Sequence, residues 1–247
     1  AFCAGADLKE RKTMPAERVP DFVRNIRGLM DDVASMPQPT VAVVQGFAFG
    51  GGTELMLACD LRVAAEEAMF GLTETTLAII PGAGGTQRLP RLIGASRAKD
   101  LILTGRKIGA AEAEQIGLVN RVAPRASLDE AARELAATIA ANGPVAVRAA
   151  KEAIDVGTEA PIGEGLEIEA RCYKKVLPTT DRLEALAAFA EKRKPQDGKF
   201  QMKIGRKAID FRVSILPVVW GEKTVFRILD SSNLVADIKA LGFEKQS

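Results

Sequence analysis

The stretch FGGGTELMLACD, Phe49 to Asp60, sets three glycines directly before a lone acidic residue, Glu54, that opens an apolar helical run. Glycine weakens ordinary helices and strands, so three together mark a place where the backbone comes unusually close to something else. Working outward, TVAVVQG (Thr40 to Gly46) reads as a buried strand, FAFGGG as the turn after it, and TELMLACD as the start of a helix with Glu54 in its first turn. A helix N-terminus offers unpaired backbone N–H groups and the positive end of the helix dipole, and glycine lets a ligand oxygen reach them. Tight packing of a helix against a strand is the alternative use for such glycines, and a single Gly-rich turn leaves both readings open.

Composition narrows the chemistry. A chain of 247 residues, 47% hydrophobic, can bury a substantial core in one large domain or two small ones. Thirty-four basic against 32 acidic residues give a net charge of +2, too even for a nucleic-acid or membrane footprint. No apolar run approaches a membrane span. Cys3, Cys59 and Cys172 are widely separated and match no metal spacing, which places the chain by default in a reducing, cytoplasmic compartment. There is no histidine, which removes Ser-His and Cys-His nucleophile mechanisms and leaves carboxylates as the acid–base candidates.

Three compositional blocks follow along the chain: 1–126, 127–195 and 196–247. In the first, short apolar runs alternate with amphipathic helices, an α/β signature; one helix carries Val19, Phe22, Ile26, Leu29, Met30 and Val33 on one face. The second is alanine-rich and helical. It opens with a capping box, Ser127 with Glu130, and continues through Pro144 to Val156, Ile162 to Val176 and Thr180 to Arg193. In the third, Phe200, Met202 and Ile204 alternate with polar residues, GRK makes a turn, Ile209, Phe211, Val213 and Ile215 alternate again, and KTVFRILD supplies a third strand.

Two further glycine-rich turns stand at AFCAGADLKE, the start of the chain, and at PGAGGTQRLPRLIG, preceded by FGLTETTLAII. Glu74 lies there between apolar residues, where burial favours its protonated form, whereas the helix N-terminus favours ionised Glu54.

AFCAGADLKE, FGGGTELMLACDLRVA and FGLTETTLAIIPGAGGTQRLPRLIG, in this order and spacing, resemble the enoyl-CoA hydratase (crotonase) family, with the methylglutaconyl-CoA hydratase-like, AU-binding branch most similar. The likeness runs on through AKDLILTGRKIGAAEAEQIGLVNRV and PTTDRLEALAAFAEKRKP, so it covers about residues 1–195. It implies a ββα spiral core followed by a helical arm used to form trimers or dimers of trimers, and alanine-rich helices with apolar faces left over agree with oligomerisation. It implies that the N–H groups of Ala6 and Gly51 bind the thioester carbonyl oxygen, and that Glu54 and Glu74 hold the catalytic water. Gly82 lines the water site, Gly50 belongs to the same substrate-binding turn, and Ala4, Asp7 and Leu8 lie in the stretch that meets coenzyme A. The implied reaction is addition of water to an α,β-unsaturated acyl-CoA. Coenzyme A enters as part of the substrate, and no metal or redox cofactor is implied. Family isomerases arrange their acid–base groups differently, and two glutamates favour hydration.

Two departures from the family pattern are visible. Members carry an additional N-terminal part before the AFCAGAD motif, and the core is expected to be incomplete there. Residues from about Gln196 onward resemble instead the ATPases of type II secretion and type IV pilus assembly, with Arg212 and Arg227 in the places of nucleotide-approaching arginines. No G-x-x-x-x-G-K-[ST] loop occurs, so ATP hydrolysis is not expected. The alternatives to a working lyase are a chimeric, catalytically impaired fragment serving as an interaction module and an RNA-binding role. Near-neutral charge and the lack of a Lys/Arg stripe count against the latter.

Overall fold

The computed structural model describes residues 1–192, 196–204, 207–218 and 221–228. By internal contacts the chain falls into two units, 1–178 and 179–247.

The first unit is built from a repeated strand–strand–helix step. Strands β1 (Val41–Val44), β3 (Leu61–Ala65) and β6 (Arg121–Ala123) form one parallel sheet in the order β1-β3-β6. Strands β2 (Phe47–Phe49), β4 (Met69–Gly71) and β5 (Ile108–Gly109) form another, with β2 and β4 parallel and β5 antiparallel. Each of the first two steps adds one strand to each sheet and then a helix, which is the expected ββα spiral. The start of the chain joins the second sheet: Cys3 bridges Ala48, and the Phe49 N–H donates to the Cys3 carbonyl at 3.1 Å. The core between the layers is dominated by small residues such as Ala48, Ala64, Ala68, Ala110 and Ala113, set against Val44, Met56, Phe70, Leu72 and Leu89. Small side chains let the layers approach closely, and each fully buried large one contributes about 1.5–3 kcal/mol.

The helices are α1 (Leu8–Thr13), α2 (Val19–Ala34), α3 (Gly51–Ala58), α4 (Gly85–Ile93), α5 (Ala95–Thr104), α6 (Ala110–Gln115), α7 (Leu128–Ala140), α8 (Pro144–Gly157), α9 (Ile162–Val176) and α10 (Thr180–Lys192). In α2, Met30 packs with Ala58 and Ala83, flanked by Ile26 and Val33. Leu29, expected on that face, is 55% exposed; it stands about 100° around the helix from Met30, outside the stripe that meets the core. The capping box is also corrected. Ser127 ends a 3-10 turn that runs straight into α7, makes no cap bond, and its hydroxyl turns to the Pro124 carbonyl at 3.3 Å.

Helix α7 packs on β1 and β3 through Leu128 and Ala132. Helices α8 and α9 approach at Gly157 and Gly165, where a Cβ on Gly165 would lie 3.0 Å from the Gly157 carbonyl oxygen. Helix α8 is tied to the core by Lys151, whose side chain is 9% exposed and pairs with Asp60 and with Asp155 at 2.8 Å. The Lys151 ammonium also donates to the Ala34 carbonyl at 3.4 Å. Asp60 in turn accepts from the Thr40 N–H at 2.6 Å. Beside it the buried Arg62 guanidinium donates to the carbonyls of Cys59 and Leu118 at 2.8 Å, satisfying an orphan carbonyl at the end of α3.

In the second unit, α10 precedes an antiparallel meander of β7 (Gln196–Ile204), β8 (Lys207–Val218) and β9 (Gly221–Ile228), in the order β7-β8-β9. The alternation read from the sequence is realised in the register: Phe200 opposes Phe211 and Met202 opposes Ile209. Arg212 stands directly opposite Arg227. Gly205 and Arg206 of the expected turn lie outside the described residues, as do the last two residues of KTVFRILD.

Candidate active site

The three glycines before Glu54 have three different reasons. Gly50 has φ +52°, a backbone region that side chains disfavour, and a Cβ there would sit 3.2 Å from Oε1 of Glu74. At Gly51 a Cβ would sit 3.4 Å from Gly5 Cα and 3.9 Å from the Ala6 nitrogen, so this glycine is where two turns of backbone meet. At Gly52 it would fall 2.0 Å from the Cys3 carbonyl oxygen, a pure packing constraint. The packing reading therefore holds at Gly52, while Gly50 and Gly51 border a cavity. Thr53 then locks the helix start: its hydroxyl lies 2.6 Å from the Ala48 carbonyl and 3.0 Å from that of Gly71, touching both β2 and β4.

Gly51 is the first residue of α3, so its N–H has no partner within the helix, and the Ala6 N–H has no acceptor either among the described residues. The two donors flank the Gly5–Gly51 contact.

Glu54 is 4% exposed. Its Oε1 accepts from the N–H groups of Ala83 and Gly85, both at 2.8 Å. The glycine loop PGAGG thus serves Glu54 directly, and a Cβ on Gly85 would crowd the same oxygen at 3.1 Å. Arg88 braces the loop, donating to the Ala83 carbonyl at 3.1 Å and pairing with Asp31 at 2.6 Å.

Glu74 starts a short 3-10 turn, Glu74–Leu77. It is half-buried, and its Oε2 is buried without a hydrogen-bond partner. Burial pushes its pKa up to about 7; its own backbone N–H opposes the shift and the charge of Glu54 adds to it. A carboxyl in this condition holds a proton near neutral pH with an oxygen to spare.

One cavity of about 210 Å³ collects these groups. Its walls include Glu54, Glu74, Gly50 and Gly51, and from the sequence reading also Ala4, Ala6, Leu8 and Gly82. Asp7 is not in the wall: its carboxylate caps α1 by accepting from the Lys9 N–H at 2.8 Å. Gly82 packs against α2, where a Cβ would meet Val23 at 2.7 Å. Sequence reasoning missed the α2 side of the cavity. Phe22 and Ile26 were assigned to a core face, yet with Val23 they line this space. It also missed Ala83 and Gly85 as donors to Glu54, although a glycine run opening a helix was a usable signal. Among the described residues no group of three His, Cys, Asp or Glu could hold a metal ion.

Two stacked sheets, a glycine-lined pair of free N–H groups and two carboxyls about one small cavity define an α/β protein of the crotonase fold. The enoyl-CoA hydratase/isomerase family matches residues 1–199, and the chain belongs to that family. It is 54% identical over 199 residues to human enoyl-CoA hydratase domain-containing protein 2, mitochondrial, covering 79% of this chain and 68% of the relative. Against human methylglutaconyl-CoA hydratase, mitochondrial, identity is 52% over 199 residues, covering 79% of this chain and 59% of the relative. The chain thus spans about two thirds or less of the length of these relatives. The crystal structure of an enoyl-CoA hydratase from Bacillus anthracis superimposes with a TM-score of 0.76 at 60% identity, covering 78% of this chain and 75% of that one. The family match ends at Lys199, and these relatives lend no support to the secretion-ATPase resemblance of the tail. Among the described residues no helix is long and apolar enough to cross a membrane.

Proposed function

We propose that the chain is a hydro-lyase of the enoyl-CoA hydratase type. The observation that carries this reading is the convergence on one cavity of Glu54, Glu74 and the unpaired N–H groups of Ala6 and Gly51. The thioester carbonyl oxygen lies between the two N–H donors, which stabilise the enolate-like charge that develops there. Water sits between the carboxyls. Glu54, held by two N–H donors on Oε1, takes a proton from water through its other oxygen as the hydroxyl adds to the β-carbon. Glu74 gives its proton to the α-carbon, yielding a 3-hydroxyacyl thioester; dehydration runs the same steps in reverse. Isomerisation of the double bond needs a single proton shuttle, and a second carboxylate, tethered through one oxygen with the other turned to its task, favours hydration instead.

Coenzyme A enters with the substrate along Ala4, Asp7 and Leu8, with no other cofactor. Residues 1–126 form the spiral core and 127–195 an oligomerisation arm. The arm leaves Ile154, Leu166 and Tyr173 exposed and Ile162 80% exposed, a supply of apolar surface suited to a trimer or dimer of trimers. Residues 196–247 are a passenger of secretion-ATPase origin. Three unpaired cysteines fit a reducing, cytoplasmic setting, while the two human relatives carry mitochondrial in their names. The competing reading is a chimeric fragment without activity.

The test is hydration of crotonyl-CoA by the purified full chain, followed as loss of the conjugated thioester absorbance, with circular dichroism to establish folding. A folded chain that leaves crotonyl-CoA and a branched enoyl-CoA unchanged would sink the lyase reading and leave the interaction module.

A further inference from the structure

The fixed position of Glu54 depends on a loop, residues 81–85, in which three of the five residues are glycine. Glycine-rich backbone has more conformations to lose than any other. Two of its N–H groups stay aimed at one carboxylate oxygen only if something outside the loop holds them there. The hold comes from two helices. The Arg88 side chain, in the first turn of α4, folds back over the loop: a Cβ on Gly84, which has φ +109°, would fall 2.2 Å from its Nη1. The guanidinium thus occupies the place that a side chain on Gly84 would take. From there Nη1 donates to the Ala83 carbonyl at 3.1 Å, and Nη2 donates to Asp31 of α2 at 2.6 Å. One turn earlier on α2, Arg27 Nε donates to the Gly82 carbonyl at 3.4 Å. Helix α2 therefore grips two consecutive carbonyls of the loop, one directly and one through Arg88.

Ala83 is held from both sides. Its N–H donates to Glu54 Oε1 at 2.8 Å while its carbonyl accepts from Arg88. With both backbone groups bonded its peptide units cannot turn, and the second donor, the Gly85 N–H two residues on, is fixed with it. The ion pair that completes the arrangement is partly solvated, with Arg88 23% and Asp31 59% exposed, so its own contribution to stability is small. What it supplies is direction. The planar guanidinium sets its donors at a fixed angle, and Asp31 on one nitrogen aims the other at Ala83.

We infer that Arg88, oriented by Asp31, is a positioning residue for the hydration step: it keeps the Ala83 and Gly85 N–H groups on Oε1 of Glu54, so that the other carboxylate oxygen stays aimed at water. This rests on the hydratase reading. Without Arg88 the carboxylate samples other orientations inside an intact site. Proton transfer from water then slows, whereas affinity for the thioester, whose carbonyl oxygen belongs to the Ala6 and Gly51 donors, is kept.

The experiment is a double-mutant cycle on crotonyl-CoA hydration by the full chain. Arg88→Met is expected to lower kcat by about tenfold to a hundredfold, the range for slight misplacement of a reacting group, with KM within about twofold of the parent. In Glu54→Gln, which has no base left to position, the same change should lower kcat by less than about twofold. Arg88→Lys, able to reach the Ala83 carbonyl or Asp31 but not both, should recover part of the rate. Asp31→Asn should lose about threefold, the scale of an exposed ion pair. A raised KM with kcat unchanged overturns the proposal, because Arg88 also borders a cavity of about 940 Å³ and would then be a substrate contact. So does a full loss that persists in Glu54→Gln, which would mean general damage to the fold. Amide exchange reads the same contact without catalysis: in Arg88→Met the Ala83 and Gly85 amides should exchange about tenfold faster or more, while Leu92 and Ile93, later in α4, keep parent rates. Uniform acceleration, or no change at the two amides, removes the proposal. If the parent chain hydrates no thioester, the hydratase reading fails separately, and amide exchange alone decides whether Arg88 holds the loop on Glu54. Should Arg88→Met not fold, Asp31→Asn, at an exposed side chain, carries both measurements with smaller factors.

Discussion

Glu54 and Glu74 face one cavity from opposite kinds of backbone. Glu54 projects from the first turn of a helix locked by Thr53 to two strands of one sheet, and its Oε1 is held by two N–H donors from the PGAGG loop. Glu74 projects from a short 3-10 turn, with one oxygen buried and unbonded. The difference teaches that chemically identical side chains acquire separate tasks through the donors around them: one has a fixed position, the other a proton near neutral pH.

The hardest strain on that comparison is removal of either carboxylate. Glu54→Gln and Glu74→Gln are each expected to lower turnover of crotonyl-CoA by about two to four orders of magnitude, with thioester binding largely kept. Steady-state kinetics beside calorimetric binding checks this, and near-parent turnover in either folded variant refutes the division of labour. Next in size, Gly51→Val should cost about 3 kcal/mol of transition-state stabilisation by displacing an N–H donor. Its melting transition, recorded with the rate, separates this from unfolding, and unchanged turnover would leave this glycine to packing alone.

A smaller effect sharpens the contrast through pH. Because burial raises the Glu74 pKa from 4.5 to about 7, the folded chain binds more protons than the unfolded one between those values. Stability from this group is therefore full below about pH 4.5 and declines as pH rises towards 7. Glu74→Gln, which cannot titrate, should gain in melting temperature relative to the parent from pH 5 to pH 8, while a constant difference across that range would mean that Glu74 is not buried as described. Smallest of all, truncation after Pro195 should leave hydratase turnover essentially intact. A large loss would show that the sheet of β7, β8 and β9 contributes to the core.

The spiral core was legible because glycine turns, apolar strands and helix faces recur in fixed order, and the α9 span was read without error as Ile162–Val176. Glu54 and Glu74 were legible for a different reason, their company of glycines. What escaped depended on geometry between distant segments. Which of Gly50, Gly51 and Gly52 meets Glu74, Gly5 or Cys3 is set by backbone that is remote in sequence. Periodicity put Phe22, Ile26 and Leu29 on one face without saying that part of it borders a cavity and part faces solvent. Ser127 followed by Glu130 satisfies the pattern of a capping box, but a preceding 3-10 turn had already set the Ser127 backbone.

The Lys151 contact with Asp60 and the Ala34 carbonyl has a consequence for hydrogen exchange. Undocking α8 would strand Asp60, which also holds the Thr40 N–H at the start of β1, beside the last turn of α3. Amides of α8 and of the C-terminal half of α3 should therefore exchange through one shared opening, with a common response to denaturant, and Lys151→Met should divide that opening into two.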